Sequence, residues 1–215
     1  MTWDDQGDMG LRALLLGGVG AGALVGGAWW WRTHPSPCPY GQRLWVQAPH
    51  PIITRTRLLE LLDAKPDDRV LELGPGTGYY TLAVAQELRQ GRLTIVDIQQ
   101  EMLDHTMRRA TEAAIENIAS VRADAQALPF SDASFDAAYT VTTLGEVPDP
   151  DQALRELARV LKPSGGLVVG ELLLGDPHAV TFSALRTRAD RVGLRVERRI
   201  GSFLGYFALL RRDGV

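Results

Sequence analysis

The sequence predicts an α/β protein with a mostly parallel, Rossmann-like sheet, entered through an apolar N-terminal segment. Three observations lead there. From residue 52 onward, apolar runs of strand length alternate with runs of helical spacing. The strand runs are apolar throughout, as expected of strands covered by helices on both faces. A glycine cluster, GPGTG at 74–78, sits where the first such strand gives way to a helix.

The elements follow in chain order. Residues 1–12 are a tail with Asp4, Asp5 and Asp8 against Arg12. Residues 13–31, ALLLGGVGAGALVGGAWWW, carry no charge. As a helix they would nearly span a hydrocarbon core of about 30 Å. Trp29, Trp30 and Trp31 close the run and Arg32 follows, matching the interfacial habits of indole and guanidinium. A cleaved signal peptide wants a basic leader and a small-residue cleavage site, and a core helix would alternate its faces. The segment therefore reads as a single transmembrane anchor in the lipid bilayer. Residues 32–59 contain Arg32, Arg43, Arg55 and Arg57 and no acid, so the positive-inside rule predicts a single-pass protein with its C-terminal domain cytoplasmic. Gly18, Gly22 and Gly26 recur every four residues, a spacing that lets two such helices pack as a homodimer. Other glycines in the run leave room for accident.

The connector, 32–51, holds Pro35, Pro37, Pro39, Pro49 and Pro51 and reads as extended. Its Tyr40, Leu44 and Trp45 suggest packing onto the domain or the bilayer, and Cys38 is read as inert. The domain proper, 52–215, opens with a helix over 52–64. Strands are predicted at 69–73, 92–97, 120–124, 135–141, 166–174, 195–201 and 206–212. Helices are predicted at 79–88, 99–114, 150–161 and 182–193.

Composition narrows the function. A chain of 215 residues, 45% hydrophobic and 23% charged, is ordinary globular material with room for one domain and an appendage. A net charge of −3 does not suggest a nucleic-acid binder, and no such partner is expected. One cysteine excludes an intrachain disulfide and a cysteine-rich zinc site. Histidines 34, 50, 105 and 178 lack ligand spacing, so no metal is expected.

The chemistry gathers around VLELGPGTGYYT, 70–81. Glycine lets the backbone turn sharply and a ligand approach closely. In open α/β sheets, ligands bind beyond the strands' C-terminal ends, where the strand order reverses. The spacing is neither the dinucleotide fingerprint nor a Walker loop, which needs Gly-Lys-Ser/Thr. Asp97 ends the second predicted strand, where a carboxylate can accept from both hydroxyls of a ribose; a helix cap is the plainer role. Asp124 ends the third, where it can equally serve a turn.

In order, ELGPGTG, VDIQQEML, ADAQALPF, FDAAY and LARVLKPSGGLVV resemble the class I S-adenosylmethionine-dependent methyltransferase family, over about residues 52–212. The subgroup resembled acts on small molecules and lipids such as quinone precursors, sterols and phosphatidylethanolamine. The resemblance implies a seven-stranded sheet with an antiparallel last strand and S-adenosyl-L-methionine as cofactor. It implies that Glu72 helps hold the methionine end through the loop and that Gly74, Gly76 and Gly78 admit the cofactor. It further implies that Asp97 binds the ribose, Ile98 packs on the adenine, Asp124 bonds the adenine amine and Ala125 lines its pocket.

Where many relatives carry a histidine pair, this chain has TVTTLGEVPDP, which puts Glu146 in that neighbourhood. Glu146 could steer a cationic amine or take its proton, or partner the cap of the next helix. Tyr79 and Tyr80 could face a sulfonium or ammonium through their rings. His178 falls near the substrate rim if the family layout holds. These make up the candidate catalytic set. The acid and tyrosines point first to the amine of phosphatidylethanolamine, then to a quinone precursor, then to a protein or RNA acceptor. The eight arginines of 186–212 read as a solvated face or a phosphate contact.

Overall fold

The computed structural model describes residues 36–42 and 50–212, all within one compact unit that begins at Ser36. Its strands are β1 (Arg69–Leu73), β2 (Arg92–Asp97), β3 (Ile118–Arg122), β4 (Phe135–Val141), β5 (Leu161–Leu172), β6 (Leu194–Gly201) and β7 (Gly205–Arg212). Its helices are α1 (Arg55–Leu62), α2 (Thr81–Glu87), α3 (Gln100–Glu112), α4 (Pro150–Val160) and α5 (Phe182–Arg191). Single 3-10 turns form at Tyr40–Gln42 and Leu144–Glu146.

The seven strands lie in the order β3-β2-β1-β4-β5-β7-β6. Pairing is parallel from β3 through β5, and β7 runs antiparallel to both β5 and β6. The chain steps outward from β1 to β2 and β3, then returns to place β4 on the other side of β1. That reversal opens a crevice beyond the ends of β1 and β4, where a ligand has room among backbone groups.

Side-chain alternation builds a core on each face. Leu71 and Leu73 of β1 join Leu154 and Leu157 of α4 and Leu185 of α5 on one side. Val70 joins Leu58 and Leu61 of α1, Val84 of α2 and Leu103 of α3 on the other. Three of these helices start where the sequence offers a side-chain cap. Thr54, Asp149 and Thr181 each accept an amide at the first turn of α1, α4 and α5, and Pro150 follows Asp149 where a missing N–H does no harm.

Two strands, β3 and β5, depart most instructively from expectation. β3 spans 118–122 rather than 120–124, because its register sets Ile118 beside Leu93 and Asp97 beside Arg122. The Asn117 side chain donates to the carbonyls of Ala85 and Leu88 at 2.8 and 2.7 Å and fixes the entry to that strand. β5 starts at Leu161, five residues before the predicted 166. A register shift between Phe135 and Ala137 absorbs the Lys162–Gly165 stretch, and a proline such as Pro163 is tolerated at such a bulge.

The expectation of a single-pass membrane protein with a cytoplasmic catalytic domain is overturned. Among the described residues no helix is long and apolar enough to cross a membrane. The tail 1–12, the segment 13–31 and its Gly18, Gly22, Gly26 face lie outside the described residues, as do Leu44 and Trp45 of the connector. The physical weakness was in the sequence. Six of the positions in 13–31 are glycine, each about 1 kcal/mol worse than alanine inside a helix.

Most C-terminal arginines whose contacts are defined are committed within the fold. Arg188 and Arg191 pair with Asp151, Arg198 with Glu60 and Arg211 with Glu197. Arg212 donates to the carbonyls of Ala158 and Leu161. Pairing of this kind supports the solvated-face reading over a phosphate contact.

Candidate functional site

The loop after β1 forms the floor of the crevice. Gly74, Gly76 and Gly78 all have positive φ, at 72°, 54° and 78°. At Gly74 a Cβ would lie 2.2 Å from Thr143 Oγ1, so only glycine lets this loop pass beneath the end of β4. Gly78 plays another part. Its missing Cβ makes room for Thr106 of α3, 2.9 Å from where that atom would sit, and Gly78 does not line the crevice. It admits a helix rather than a ligand. Thr106 Oγ1 donates to Gly76 O at 3.0 Å, and Arg109 donates to Thr77 O, so α3 braces the loop from below.

Glu72 also lies behind the crevice wall. It is buried, and its carboxylate accepts from Thr81 Oγ1 at 2.6 Å, tying β1 to the start of α2. Burial pushes its carboxyl up to about 7, against the opposing effect of the Thr81 and Tyr139 hydroxyls and with a small rise from the Asp97 charge.

The wall at β2 is made by Asp97, Ile98 and Gln99. Asp97 Oδ1 accepts from the Gln99 amide at 2.9 Å, and burial pushes the carboxyl up to about 6, opposed by the backbone bonds. Ile98 is 48% exposed, an unusual state for isoleucine and one that leaves a flat apolar surface at the rim. Asp124 and buried Ala125 complete this end. The Asp124 carboxylate also accepts from the Gln126 amide at 2.8 Å, so it builds its own turn.

The crevice is also lined by His50, Tyr79, Tyr80 and Glu146. Tyr80 is a core residue with its hydroxyl donated to Ile53 O at 2.6 Å. The Arg55 guanidinium covers Tyr79 at 4.0 Å from the ring centroid, and His50 meets the same ring edge-on at 5.2 Å. Glu146 sits on the 3-10 turn after β4 and accepts from the Cys38 amide at 3.2 Å. Burial pushes its carboxyl up to about 7, the Cys38 bond works against the rise, and the charges of Asp176 and Asp97 add to it. The cap of α4 is Asp149, not Glu146. His178 does not line the crevice. Its amide donates to Asp176 Oδ1 at 2.8 Å, and its carbonyl backs against Gly145, behind the turn that carries Glu146.

Residues 70–165 match the family model described as a methyltransferase domain. The 27-O-demethylrifamycin SV methyltransferase of Amycolatopsis mediterranei is 32% identical over 160 residues, which is 74% of this chain and 58% of that protein. The chain belongs to the class I S-adenosylmethionine-dependent methyltransferase family. The demethylmenaquinone methyltransferase of Listeria monocytogenes is 35% identical, over 53% of this chain and 48% of its own length. The chain thus spans about half the length of the curated relatives it matches. The fold agrees with the crystal structure of a SAM dependent methyltransferase from Aquifex aeolicus, with a TM-score of 0.73 at 19% identity, covering 80% of this chain and 98% of that one.

S-adenosylmethionine is the family's cofactor, and the crevice suits it. The Gly74–Gly76 floor leaves backbone accessible, Asp97 presents a carboxylate at the strand end, and Ile98 offers an uncovered apolar face. The sequence pointed to most of these residues. It missed Thr143, His50, Gln99 and the brace from Thr106 and Arg109, each of which depends on a crossover that brings distant segments together. It also took Cys38 for a bystander, although Pro37 and Cys38 line the crevice.

Proposed function

We propose that the protein transfers the methyl group of S-adenosylmethionine to a small hydroxyaromatic acceptor of the quinone-precursor type. Glu146 carries this reading. Its carboxyl lies in the crevice wall with proton affinity near neutrality, where a side chain can take a proton from a phenolic hydroxyl. Relatives named for demethylmenaquinone and 27-O-demethylrifamycin SV support a small-molecule acceptor.

The phosphatidylethanolamine amine fits less well. The tyrosine pair was to receive its ammonium, but Arg55 already covers the Tyr79 ring and the Tyr80 hydroxyl is committed to Ile53. A second cation at that wall would meet the guanidinium. A neutral aromatic ring, by contrast, can pack edge-on or offset against His50 and Tyr79.

The residues divide the work as follows. Asp97 would hold the ribose hydroxyls, Ile98 and Ala125 would flank the adenine, Asp124 would accept from its amine, and the Gly74–Gly76 backbone would receive the methionine end. Glu72 stiffens that loop from behind through Thr81. The sulfonium of the bound cofactor supplies an activated methyl group. The chain aligns the acceptor oxygen or ring carbon with that methyl, excludes water, and lets Glu146 receive the displaced proton. On transfer the carbon–sulfur bond would break as the acceptor–carbon bond forms, with a thioether leaving.

The test is a competition. The full chain is incubated with radiolabelled S-adenosylmethionine and a reduced hydroxynaphthoquinone, a phenolic macrocycle, phosphatidylethanolamine in detergent, bulk protein and RNA. Label in the hydroxyaromatic fraction, lost in Glu146→Gln, is the expected result. Label confined to lipid, protein or RNA refutes the acceptor class.

A further inference from the structure

The segment Ser36-Pro37-Cys38-Pro39-Tyr40 runs along the crevice, which Pro37 and Cys38 line, and it makes contacts on two sides. Cys38 presents its amide to Glu146 Oε2 at 3.2 Å, on the β4 side. Its carbonyl accepts from Gln99 Nε2 at 3.1 Å, on the β2 side. Two residues on, the Tyr40 hydroxyl meets His105 Nδ1 of α3 at 3.3 Å, with the rings edge-on at 6.0 Å. Pro37 and Cys38 themselves line the crevice. The segment is therefore tied to both banks of the switch point and spans the space between them.

The sequence explains how so short a strap holds its shape. Pro37 and Pro39 fix their own φ and restrict the residues before them, so little conformational freedom is lost in ordering the strap. Prolines also lack an amide hydrogen. Between 37 and 39 the Cys38 N–H is the sole backbone donor, and it is the one aimed at Glu146.

We infer that residues 37–40 are a built part of the active crevice, with Gln99 as a positioning residue that acts through Cys38 to orient the Glu146 carboxylate. This rests on the reading of Glu146 as the proton acceptor. Because the strap bridges the two banks, ligand exchange past it would part the Gln99 and Tyr40 ties. The groups facing Glu146 are Asp97 from the end of β2, Asp176 from the loop after β5, buried Glu171 of β5 and the Cys38 thiol. Burial and the charges of Asp176 and Asp97 oppose ionisation of Glu146, and the strap amide is the contact that lowers its proton affinity.

The test uses the full chain and needs no acceptor. Carbon-13 NMR follows the Glu146 carboxyl through a pH titration. Cys38→Ala keeps the amide, and the midpoint should stay in place. Cys38→Pro removes it, and the midpoint should rise, with Gln99→Leu shifting it in the same direction by less. A midpoint that does not move in Cys38→Pro overturns the positioning role. A second readout follows the strap itself. Cys38 is the chain's one cysteine, so its alkylation by N-ethylmaleimide reports opening. Gln99→Leu and Tyr40→Phe should each speed that reaction about two- to tenfold, the scale of one hydrogen bond, and S-adenosylhomocysteine should slow it in the parent. Equal rates in parent and both variants overturn the strap. Calorimetry with S-adenosylhomocysteine, run in parallel, identifies a failure of the cofactor reading separately.

Discussion

Glu72→Gln should stabilise the protein, and only above a particular pH. The carboxyl is buried among apolar neighbours, and burial lifts it from its ordinary value of 4.5 to about 7. The folded state thus holds the proton more tightly than the unfolded chain does. Its contribution is complete below about pH 4.5 and drains away as pH rises through about 7. That gap corresponds to about 3 kcal/mol. Glutamine keeps the shape and can still accept from the Thr81 hydroxyl, but it has no proton to lose. At pH 8 the variant should therefore exceed the parent by up to about 3 kcal/mol, or about 6–12 °C in Tm for a chain of this size. At pH 4 the two should coincide. Urea unfolding of the ligand-free protein at both pH values, followed by circular dichroism, measures the difference. A variant less stable than the parent at pH 8, or a gap independent of pH, would refute the argument that burial holds the proton on Glu72.

Three further outcomes follow from the same geometry. Asp97→Asn should weaken S-adenosylhomocysteine binding by about 1.5–3 kcal/mol, the range for a hydrogen bond to a charged group, as measured by calorimetry. Arg159→Lys should lower stability by about 1–3 kcal/mol. The Arg159 fork reaches Glu156, Asp132 and the carbonyls of Phe130 and Leu128 at 2.7–3.0 Å, and an ammonium cannot satisfy that set; an unchanged urea midpoint would count against it. Glu146→Gln should reduce methyl transfer to the hydroxyaromatic while leaving S-adenosylhomocysteine affinity within about threefold, well under the loss of one charged hydrogen bond; a matching loss of affinity would move Glu146 to the cofactor side.

What could be read from the sequence was local. The β1–glycine–α2 passage and Asp97 at the end of β2 are contiguous patterns, and strand apolarity was enough to place all seven strands. Roles that depend on crossovers were not legible. Gly78 looks identical to Gly74 in the sequence, yet one faces Thr106 of α3 and the other Thr143 beyond β4. His178 was placed at the rim by analogy, but the loop after β5 folds behind the 144–146 turn. The Cys38–Glu146 bond joins residues 108 positions apart, and no periodicity announces such a contact. The start of β5 was hidden by a bulge, which breaks the apolar pattern where the strand begins. The anchor reading rested on residues 13–31, which lie outside the described residues.

The raised carboxyls at this end of the sheet act as one system. Glu72, Asp97 and Glu146 sit near about 7, 6 and 7, each lifted first by burial, and Asp97 adds to the rise at the other two. A cation placed among them favours the ionised form of all three. S-adenosylmethionine carries a sulfonium charge that S-adenosylhomocysteine lacks, while the two share their ribose, adenine and amino-acid groups. Binding of the charged cofactor near pH 6.5 should therefore release protons that binding of the neutral thioether does not. By linkage, affinity for S-adenosylmethionine should rise with pH between about 6 and 7.5 more steeply than affinity for S-adenosylhomocysteine. Calorimetry in buffers of different ionisation enthalpy counts the protons directly. The difference between the ligands should lie between a few tenths and one proton per site, and Glu146→Gln should reduce it. Equal proton counts for the two ligands would show that the sulfonium is screened from these acids, and would remove Glu146 from the neighbourhood of the transferred methyl group.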